Sequence, residues 1–172
     1  MKRKHLLLIA MLLPIFLHAK HYQISNSKTG FDAPDGFKPM SPEMIRIKYP
    51  KGNAPDFVLT NDSTETTIAY GIRAKKLPQE EMEITAKAFE KGYSRVVAGF
   101  ELKSNKIVTI SGQKWIQMEF VSNTIDSKVY NIFLVTGYKD QMLVINLNST
   151  FKEFPKYEKE LRKFIGSIVL KG

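Results

Sequence analysis

Apolar and polar residues alternate one by one along several stretches of the chain, which is typical of β-strands that bury a single face. Two of these stretches, 57–60 and 66–73, flank a turn-forming segment at 61–63 and predict a β-hairpin. The same alternation predicts further strands at 44–49, 106–111, 114–121, 129–138 and 142–149. A short turn separates the last two strands, so they are expected to pair in antiparallel orientation.

Two other stretches repeat their apolar residues every three or four positions, the period of an α-helix that is buried on one side. The first covers 78–95, with Pro78 in its first turn. The second covers 153–169, where Pro155 is tolerated only in the first turn. Such helices must bury their apolar stripe on the sheet. The sequence therefore predicts an α+β fold, with a single antiparallel sheet flanked by two main helices.

The first nineteen residues have a different pattern from the rest of the chain. Basic residues at 2–4 precede an apolar run at 6–17, and the small residue Ala19 follows shortly after. This order is typical of a secretory signal peptide, so residues 1–19 are predicted to be removed by cleavage after Ala19. The alternative is an uncleaved anchor, although the run is shorter than the roughly 20 residues that span a bilayer. We expect export to the periplasm or the cell exterior.

The rest of the chain has the composition of an ordinary soluble domain, with 43% hydrophobic and 25% charged residues in the whole sequence. Small and polar residues cluster within 20–35, which predicts a flexible N-terminal segment. Residues 36–172 are then expected to form one monomeric domain. They contain no apolar run of spanning length, so no membrane span is predicted in the mature chain.

Several kinds of chemistry are excluded by composition. The chain has no cysteine, which removes disulfides, thiol catalysis and the common structural zinc sites. His21 is the one histidine that would remain after cleavage, so histidine-based triads and multi-histidine metal sites are excluded as well. No catalytic residue, metal site or cofactor is predicted.

The formal net charge of +9 is distributed along the chain and not concentrated in one stripe. Part of it lies in residues 2–4 and would leave with the signal peptide. A scattered excess of positive charge is typical of a solvated surface and does not indicate a nucleic-acid site. The expected partner is therefore an unknown protein or a component of the cell envelope.

A candidate contact surface comes from polar and aromatic residues that occupy alternate positions on three successive predicted strands. They are Trp115, Gln117, Glu119, Asn131, Asn146 and Asn148. If the strands align these positions on one exposed face, the residues would form a polar patch suited to a sugar or a peptide. In the alternative interpretation the amides are satisfied within the protein and Trp115 belongs to the core.

Three segments resemble a known group of proteins. They are 34–37 (Pro-Asp-Gly-Phe), 110–115 (Ile-Ser-Gly-Gln-Lys-Trp) and the terminal pattern of Phe154, Tyr157, Ile165 and Ser167. Over about residues 36–168 the chain resembles the PsbP-like fold, whose exported bacterial members include DcrB-type proteins. The resemblance implies an α/β/α sandwich and a non-enzymatic role in binding or assembly. It transfers no functional residue.

The sequence thus favours an exported, non-enzymatic binding or assembly protein. One alternative is a carboxylate-dependent envelope hydrolase, for which Glu119 would need a second carboxylate across a cleft. Another is an exported immunity or chaperone protein that caps a toxin or a membrane-protein segment.

Overall fold

The computed structural model of the protein describes residues 19–24, 28–50 and 54–171. Most of the predicted signal peptide, residues 1–18, lies outside the described residues. Within the described ranges, none of the helices is long and apolar enough to cross a membrane.

Nine strands and three α-helices make up the described part of the chain. The strands are β1 (His21–Gln23), β2 (Gly30–Asp32), β3 (Lys38–Pro39), β4 (Phe57–Thr60), β5 (Thr66–Arg73), β6 (Glu101–Ile110), β7 (Gln113–Asn123), β8 (Lys128–Tyr138) and β9 (Gln141–Thr150). The helices are α1 (Pro42–Lys48), α2 (Met82–Val96) and α3 (Phe154–Ser167), and a 3₁₀ turn at Gln79–Glu81 leads into α2.

Seven of the strands form one antiparallel sheet in the order β3-β4-β5-β9-β8-β7-β6. The predicted hairpin is β4 and β5, and the predicted strands at 114–121, 129–138 and 142–149 are β7, β8 and β9. Strand β6 begins at Glu101, several residues before the predicted start. The pairing of β5 with β9 joins the first half of the sheet to the second.

Both predicted helices are confirmed, as α2 and α3. Pro155 lies in the first turn of α3, where its missing N–H breaks no hydrogen bond of the helix. The predicted strand at 44–49, however, is wrong, because this segment belongs to the short helix α1.

Local capping explains the helix at this position. The Oγ of Ser41 accepts a hydrogen bond from the N–H of Met44 at 3.2 Å, and Pro42 occupies the first turn. Of the alternating apolar residues, Ile47 is 65% exposed, so the alternation does not reflect a buried face.

The segment at 20–35, for which the sequence predicts flexibility, contains two short strands among its described residues. Strands β1 and β2 form a separate two-stranded sheet, so the described residues form two sheets and not the single sheet that the sequence predicts. Ile24 and Phe31 are fully buried, and the Phe31 ring contacts that of Phe164 in α3 with 4.9 Å between centroids. The apolar residues of this short segment therefore extend the core, which begins before residue 36.

Helices cover both faces of the large sheet. On the first, here called the α3 face, helix α3 and the small sheet cover a core that includes Trp115, Ile132, Leu134, Ile145, Leu147, Leu161 and Phe164. On the second, here called the α2 face, helix α2 covers Ile116, Met118, Phe120, Phe133 and Val135. Helix α1 covers Val58 and Ala69 at the other side of that second face. This is the layered arrangement that the resemblance implied.

The segment that leads into α2 passes very close to the sheet at Gly137. A Cβ at this position would lie 2.2 Å from the backbone oxygen of Leu77, which cannot yield as a flexible side chain could. We expect Gly137→Ala to lower the free energy of unfolding by about 1–3 kcal/mol, measured by denaturant titration. Gly92→Ala is the control, because a Cβ there meets nothing within 4 Å, and it should leave stability unchanged or raise it. Equal behaviour of the two variants would contradict this account of Gly137.

Candidate functional site

The predicted polar patch is divided between the two faces of the sheet. Glu119 pairs with Ile132 and Phe120 pairs with Asn131, so Glu119 and Asn131 point to opposite sides. Because side chains alternate along a strand, an offset of one residue moves a side chain to the other face. Trp115, Gln117 and Glu119 lie on the α3 face, whereas Asn131, Asn146 and Asn148 lie on the α2 face. The expectation of one exposed patch is wrong.

Trp115 belongs to the core and not to a contact surface. Its side chain is fully buried, and its Nε1 donates a hydrogen bond to the carbonyl oxygen of Ile110 at 3.2 Å. This bond satisfies the indole within the β6–β7 hairpin, so that the ring can pack among apolar neighbours.

Glu119 is the centre of a hydrogen-bond cluster between the sheet and α3. Arg162 donates to both carboxylate oxygens, at 2.6 and 2.7 Å. The Tyr130 hydroxyl donates at 2.8 Å and Gln117 Nε2 donates at 2.6 Å. Both oxygens of the Glu119 carboxylate therefore accept hydrogen bonds from within the protein.

The protonation states in this cluster follow from its geometry. Burial opposes ionisation of Glu119, but the hydrogen bonds from Arg162, Tyr130 and Gln117 outweigh it, and the pKa of the carboxyl falls to about 2. Burial and the adjacent carboxylate raise the pKa of Tyr130 to about 12. Glu119 is therefore ionised at neutral pH and has no proton to donate as a general acid. Its hydrogen bonds with Arg162 connect α3 to β7.

Asn131 is also engaged within the protein. Its Nδ2 is within hydrogen-bond distance of the carbonyl oxygens of Phe120 and Val129 and of Ser122 Oγ, at 2.9–3.3 Å. It is 6% exposed, so it offers no surface to a ligand.

Asn146 and Asn148 have a different environment. Together with Met142, Val144 and Thr150 they form the outward side of β9 on the α2 face, in the gap between α1 and α2. Two adjoining clefts, of about 340 and 630 Å³, follow this row of residues and share Tyr49 as a wall. We call the two clefts together the β9 trough.

The two ends of the β9 trough differ in the types of residue that line them, although carbon atoms form the larger part of the exposed lining in both. The first cleft is lined mostly by aromatic and aliphatic residues together with one cation: Tyr49, Pro55, Ala69, Tyr70, Gly71, Arg73, Phe89, Tyr93, Phe133, Met142, Val144 and Asn146. The second is lined by residues that include Lys48, Glu65, Thr67, Thr124, Asp126, Asn148, Thr150 and Lys152. A bound molecule would thus meet aromatic and aliphatic side chains at one end and hydroxyls and mixed charges at the other.

The amides of Asn146 and Asn148 have unmet hydrogen-bonding capacity. The Oδ1 atom of each is buried and has no hydrogen-bond partner among the described residues. An amide group also carries two N–H donors, and rotation about χ2 exchanges the positions of its oxygen and nitrogen. Each side chain can therefore present either its NH₂ donors or, after rotation, its oxygen acceptor to a molecule lying in the trough.

The walls of the trough were not predicted as site residues. From the sequence, Phe89 and Tyr93 are simply two of the apolar positions in the helix predicted at 78–95, and Tyr49 falls in the strand predicted at 44–49. Burial raises the pKa of Tyr93 and of Tyr49, with a hydrogen bond to Thr67 opposing the effect at Tyr49. Both hydroxyls are therefore protonated at neutral pH. In the described part of the chain, no group of three or more His, Cys, Asp or Glu side chains could hold a metal ion.

Comparison with known proteins identifies the fold. No protein-family model matches the sequence, and no curated protein is significantly similar to it. Solved structures do match. Cyanobacterial PsbP (CyanoP) from Synechocystis sp. PCC 6803 aligns with a TM-score of 0.62 at 13% identity, over 95% of this chain and 99% of that protein.

Two further structures agree with this result. LpqN of Mycobacterium tuberculosis, which is involved in cell envelope biogenesis, aligns with a TM-score of 0.59 at 12% identity, over 90% of this chain and 92% of its own. PA94 of Pseudomonas aeruginosa, a protein of unknown function, aligns with a TM-score of 0.54 at 13% identity, over 90% and 99% of the two chains. Identities this low support the architecture alone. The chain has the PsbP-like fold, as the resemblance in its sequence suggested.

Proposed function

We propose that this is an exported, non-enzymatic binding or assembly protein, and that its ligand lies in the β9 trough. The observation that carries this proposal is the pair of amides at Asn146 and Asn148, whose buried oxygens have no partner in the described part of the chain. A buried polar group without a hydrogen bond costs on the order of 1–3 kcal/mol. The neighbouring positions on the same side of β9, Met142 and Val144, are apolar, so apolar residues are compatible with this surface.

A ligand that reorients the two amides and donates a hydrogen bond to each oxygen would recover part of that cost. Sites that sacrifice stability in the free protein are typical of function, because a surface arranged only for stability would carry side chains that are satisfied or apolar. The position of the amides between two helices also gives a ligand walls on both sides, as in most binding clefts.

Other features support the remaining parts of the proposal. The pattern of residues 1–19 favours export. A role in the envelope is compatible with LpqN, which shares the fold and is involved in cell envelope biogenesis. The carboxylate of Glu119, the acid named for the hydrolase alternative, is held ionised by Arg162. We include in this proposal that the protein is of the DcrB type.

The amides give the proposal a signature in stability. We expect Asn146→Leu and Asn148→Leu each to raise the free energy of unfolding by about 1 kcal/mol, because leucine has a similar size and leaves no unsatisfied oxygen. Asn131→Leu is the matched control on the same face, and it should lower stability because the Asn131 amide has partners. Chemical denaturation of the three variants measures this. A loss of stability in the Asn146 and Asn148 variants would show that these amides are satisfied in the free protein.

Binding is tested by capture of a partner from the envelope fraction of the host. The protein should retain a reproducible, stoichiometric partner, and the double variant Asn146→Leu/Asn148→Leu should lose it. Lys159→Leu, an exposed position on α3 at the other side of the sheet, controls for the added apolar surface and should retain the partner. Retention by the double variant would exclude the trough as the site. Turnover of substrates in a hydrolase panel would refute the non-enzymatic role.

A further inference from the structure

We propose that the end of the protein formed by the β7–β8 turn docks onto an anionic phospholipid surface. Three exposed apolar side chains are grouped at this end, Val96, Ile125 and Phe151, and together we call them the tip surface. Basic side chains adjoin all three. This inference goes beyond the ligand of the β9 trough, and it does not depend on that site.

The tip surface is assembled from three separate parts of the chain. Val96 ends helix α2, and the loop that follows meets the β7–β8 turn, where the N–H of Asn123 donates to the carbonyl oxygen of Ala98 at 2.8 Å. Phe151 follows β9, and its N–H donates to the carbonyl oxygen of Lys128 at 2.8 Å on the other side of the same turn. These hydrogen bonds hold the three segments next to one another at one end of the sheet.

Ile125 is the most exposed of the three residues. It lies in the β7–β8 turn, and at 106% it is as exposed as a residue without neighbours, whereas Val96 is 81% and Phe151 is 56% exposed. The turn is closed by Thr124, whose N–H donates to the carbonyl oxygen of Ser127 at 2.8 Å. Positions of this kind usually carry Gly, Asn, Asp or Ser. The isoleucine therefore contributes nothing to folding that a polar residue would not supply.

The turns at the opposite end of the sheet are of the ordinary kind. The β6–β7 turn contains Ser111 and Gly112, and the β8–β9 turn contains Lys139 and Asp140, all four with positive φ. Neither turn has a large apolar residue at its tip. An apolar side chain in a turn is thus a feature of one end of the sheet only.

Cations border each part of the tip surface. Arg95 precedes Val96, Lys128 follows the β7–β8 turn and Lys152 follows Phe151, and all three cations are exposed. Within the described ranges, none of the three forms an ion pair. The charges of these side chains are therefore available to an anionic surface.

The acidic residues of this end do not cancel these charges. Glu101 pairs with Lys103, and Glu65 lies near Lys48. Asp126 accepts a hydrogen bond from the hydroxyl of Thr124 at 3.2 Å, and Glu153 begins α3. The whole sequence has 26 basic and 17 acidic residues, so an anionic surface also attracts the protein at long range.

This combination favours a lipid surface over a protein partner. Protein interfaces are depleted of lysine and enriched in tyrosine, tryptophan and arginine, whereas the tip surface combines aliphatic side chains and one phenylalanine with adjacent lysines. At a membrane, apolar side chains enter the boundary between headgroups and acyl chains while lysines bind lipid phosphates. Both kinds of side chain are then in a favourable environment.

Docking in this orientation would place the β9 trough beside the lipid. Thr124, Asp126 and Lys152 belong to the same end of the sheet and also line the second cleft of the trough. The binding site proposed above would then adjoin the membrane surface.

The test is sedimentation with lipid vesicles of the protein as its host processes it. Vesicles of phosphatidylcholine and phosphatidylglycerol are compared with vesicles of phosphatidylcholine alone. We expect at least tenfold stronger binding to the anionic vesicles. Added salt should weaken this binding, because it screens the attraction between exposed charges.

Substitution of the apolar residues tests insertion. Ile125→Ser/Phe151→Ser should weaken binding to the anionic vesicles at least tenfold, because the apolar contribution is lost. Ile84→Ser is the control, since Ile84 is 70% exposed and lies in the first turn of α2, towards the opposite end. It should leave binding unchanged. In addition, the fluorescence of Ile125→Trp should shift to shorter wavelengths on addition of vesicles, and that of Ile84→Trp should not.

Substitution of the lysines tests the position of the charges. Lys128→Gln/Lys152→Gln should weaken binding by a factor of about five for each lysine. Lys75→Gln/Lys139→Gln removes the same charge from exposed positions at the opposite end and should have a much smaller effect.

Three results would overturn the inference. The first is no binding to anionic vesicles at low salt, and the second is equal binding by Ile125→Ser/Phe151→Ser and the unmodified protein. The third is an equal loss in the two lysine pairs, which would show that only the total charge matters. If the protein ignores vesicles but captures an envelope protein that Ile125→Ser/Phe151→Ser loses, the tip surface is a protein interface and the lipid proposal is wrong.

Discussion

Trp115→Ala is expected to lower the free energy of unfolding by about 3–5 kcal/mol, the cost of removing a large aromatic side chain from a packed core. The side chain is fully buried on the α3 face, and its indole nitrogen is satisfied by Ile110. The substitution leaves a cavity on the α3 face and removes the hydrogen bond from the indole to the Ile110 carbonyl oxygen. Thermal and denaturant unfolding measure the loss.

Trp115→Phe is the control for this prediction, because it keeps an aromatic ring and should lose less stability. At a temperature where Trp115→Ala is folded, its partner binding per folded molecule should equal that of the unmodified protein, since the β9 trough is on the other face. A small loss of stability combined with a large loss of binding would show that Trp115 is a contact residue after all.

Removal of Arg162 is expected to have the next largest effect. Arg162→Met leaves the Glu119 carboxylate buried without its opposite charge, and we expect the free energy of unfolding to fall by about 2–4 kcal/mol. This is below the full cost of breaking a buried pair, because the Arg162 side chain is 37% exposed and water reduces its contribution. Glu119→Gln/Arg162→Met removes both charges and should recover part of the loss. A double variant less stable than Arg162→Met would contradict this account.

The same cluster predicts a pH dependence. The pKa of Glu119 is lowered from 4.5 to about 2 in the folded protein, so the unfolded chain binds this proton more readily. The stabilisation is therefore complete above about pH 4.5 and is lost as the pH falls towards 2. The difference in unfolding free energy between the unmodified protein and Glu119→Gln should shrink over this interval, as measured by denaturation at several pH values. A difference that stays constant from pH 6 to 2 would show that Glu119 is not held in its ionised form.

Much of the architecture could be predicted because the apolar pattern of each helix and strand shows which of its sides is buried. The alternation in β7, β8 and β9 and the three- to four-residue period in α2 and α3 are local properties of the chain. Short turns between the strands then indicate an antiparallel sheet. Helix α1 was mistaken for a strand because it is too short for its period to be distinct from alternation. Its capping residues, Ser41 and Pro42, were the signal that could have identified it.

The site was harder to predict, for reasons of register. Alternation shows that Glu119 and Asn131 each share a side with other residues of their own strand, but it does not show which sides coincide across the β7–β8 turn. Because helices cover both faces of the sheet, either face can carry buried residues, and burial does not resolve the ambiguity. Asn146 and Asn148 share a face because they lie on one strand, as predicted. The walls at Tyr49 and Tyr93 come from distant segments, and their approach depends on tertiary packing.

The pairing of β5 with β9 has a consequence for the order in which the protein folds. Strands β3, β4 and β5 gain their connection to the rest of the sheet only through β9, whose residues follow 69 to 83 positions later, from the pair of Arg73 and Met142 to that of Thr66 and Ser149. The four strands β6 to β9 are joined by tight turns and can pair locally as soon as they emerge. Pairing of β5 with β9 must first close a large loop, which costs conformational entropy. We therefore expect pairing between neighbouring strands to form first. We expect the later half of the chain to pair first and β5 to keep an unpaired edge until β9 is available.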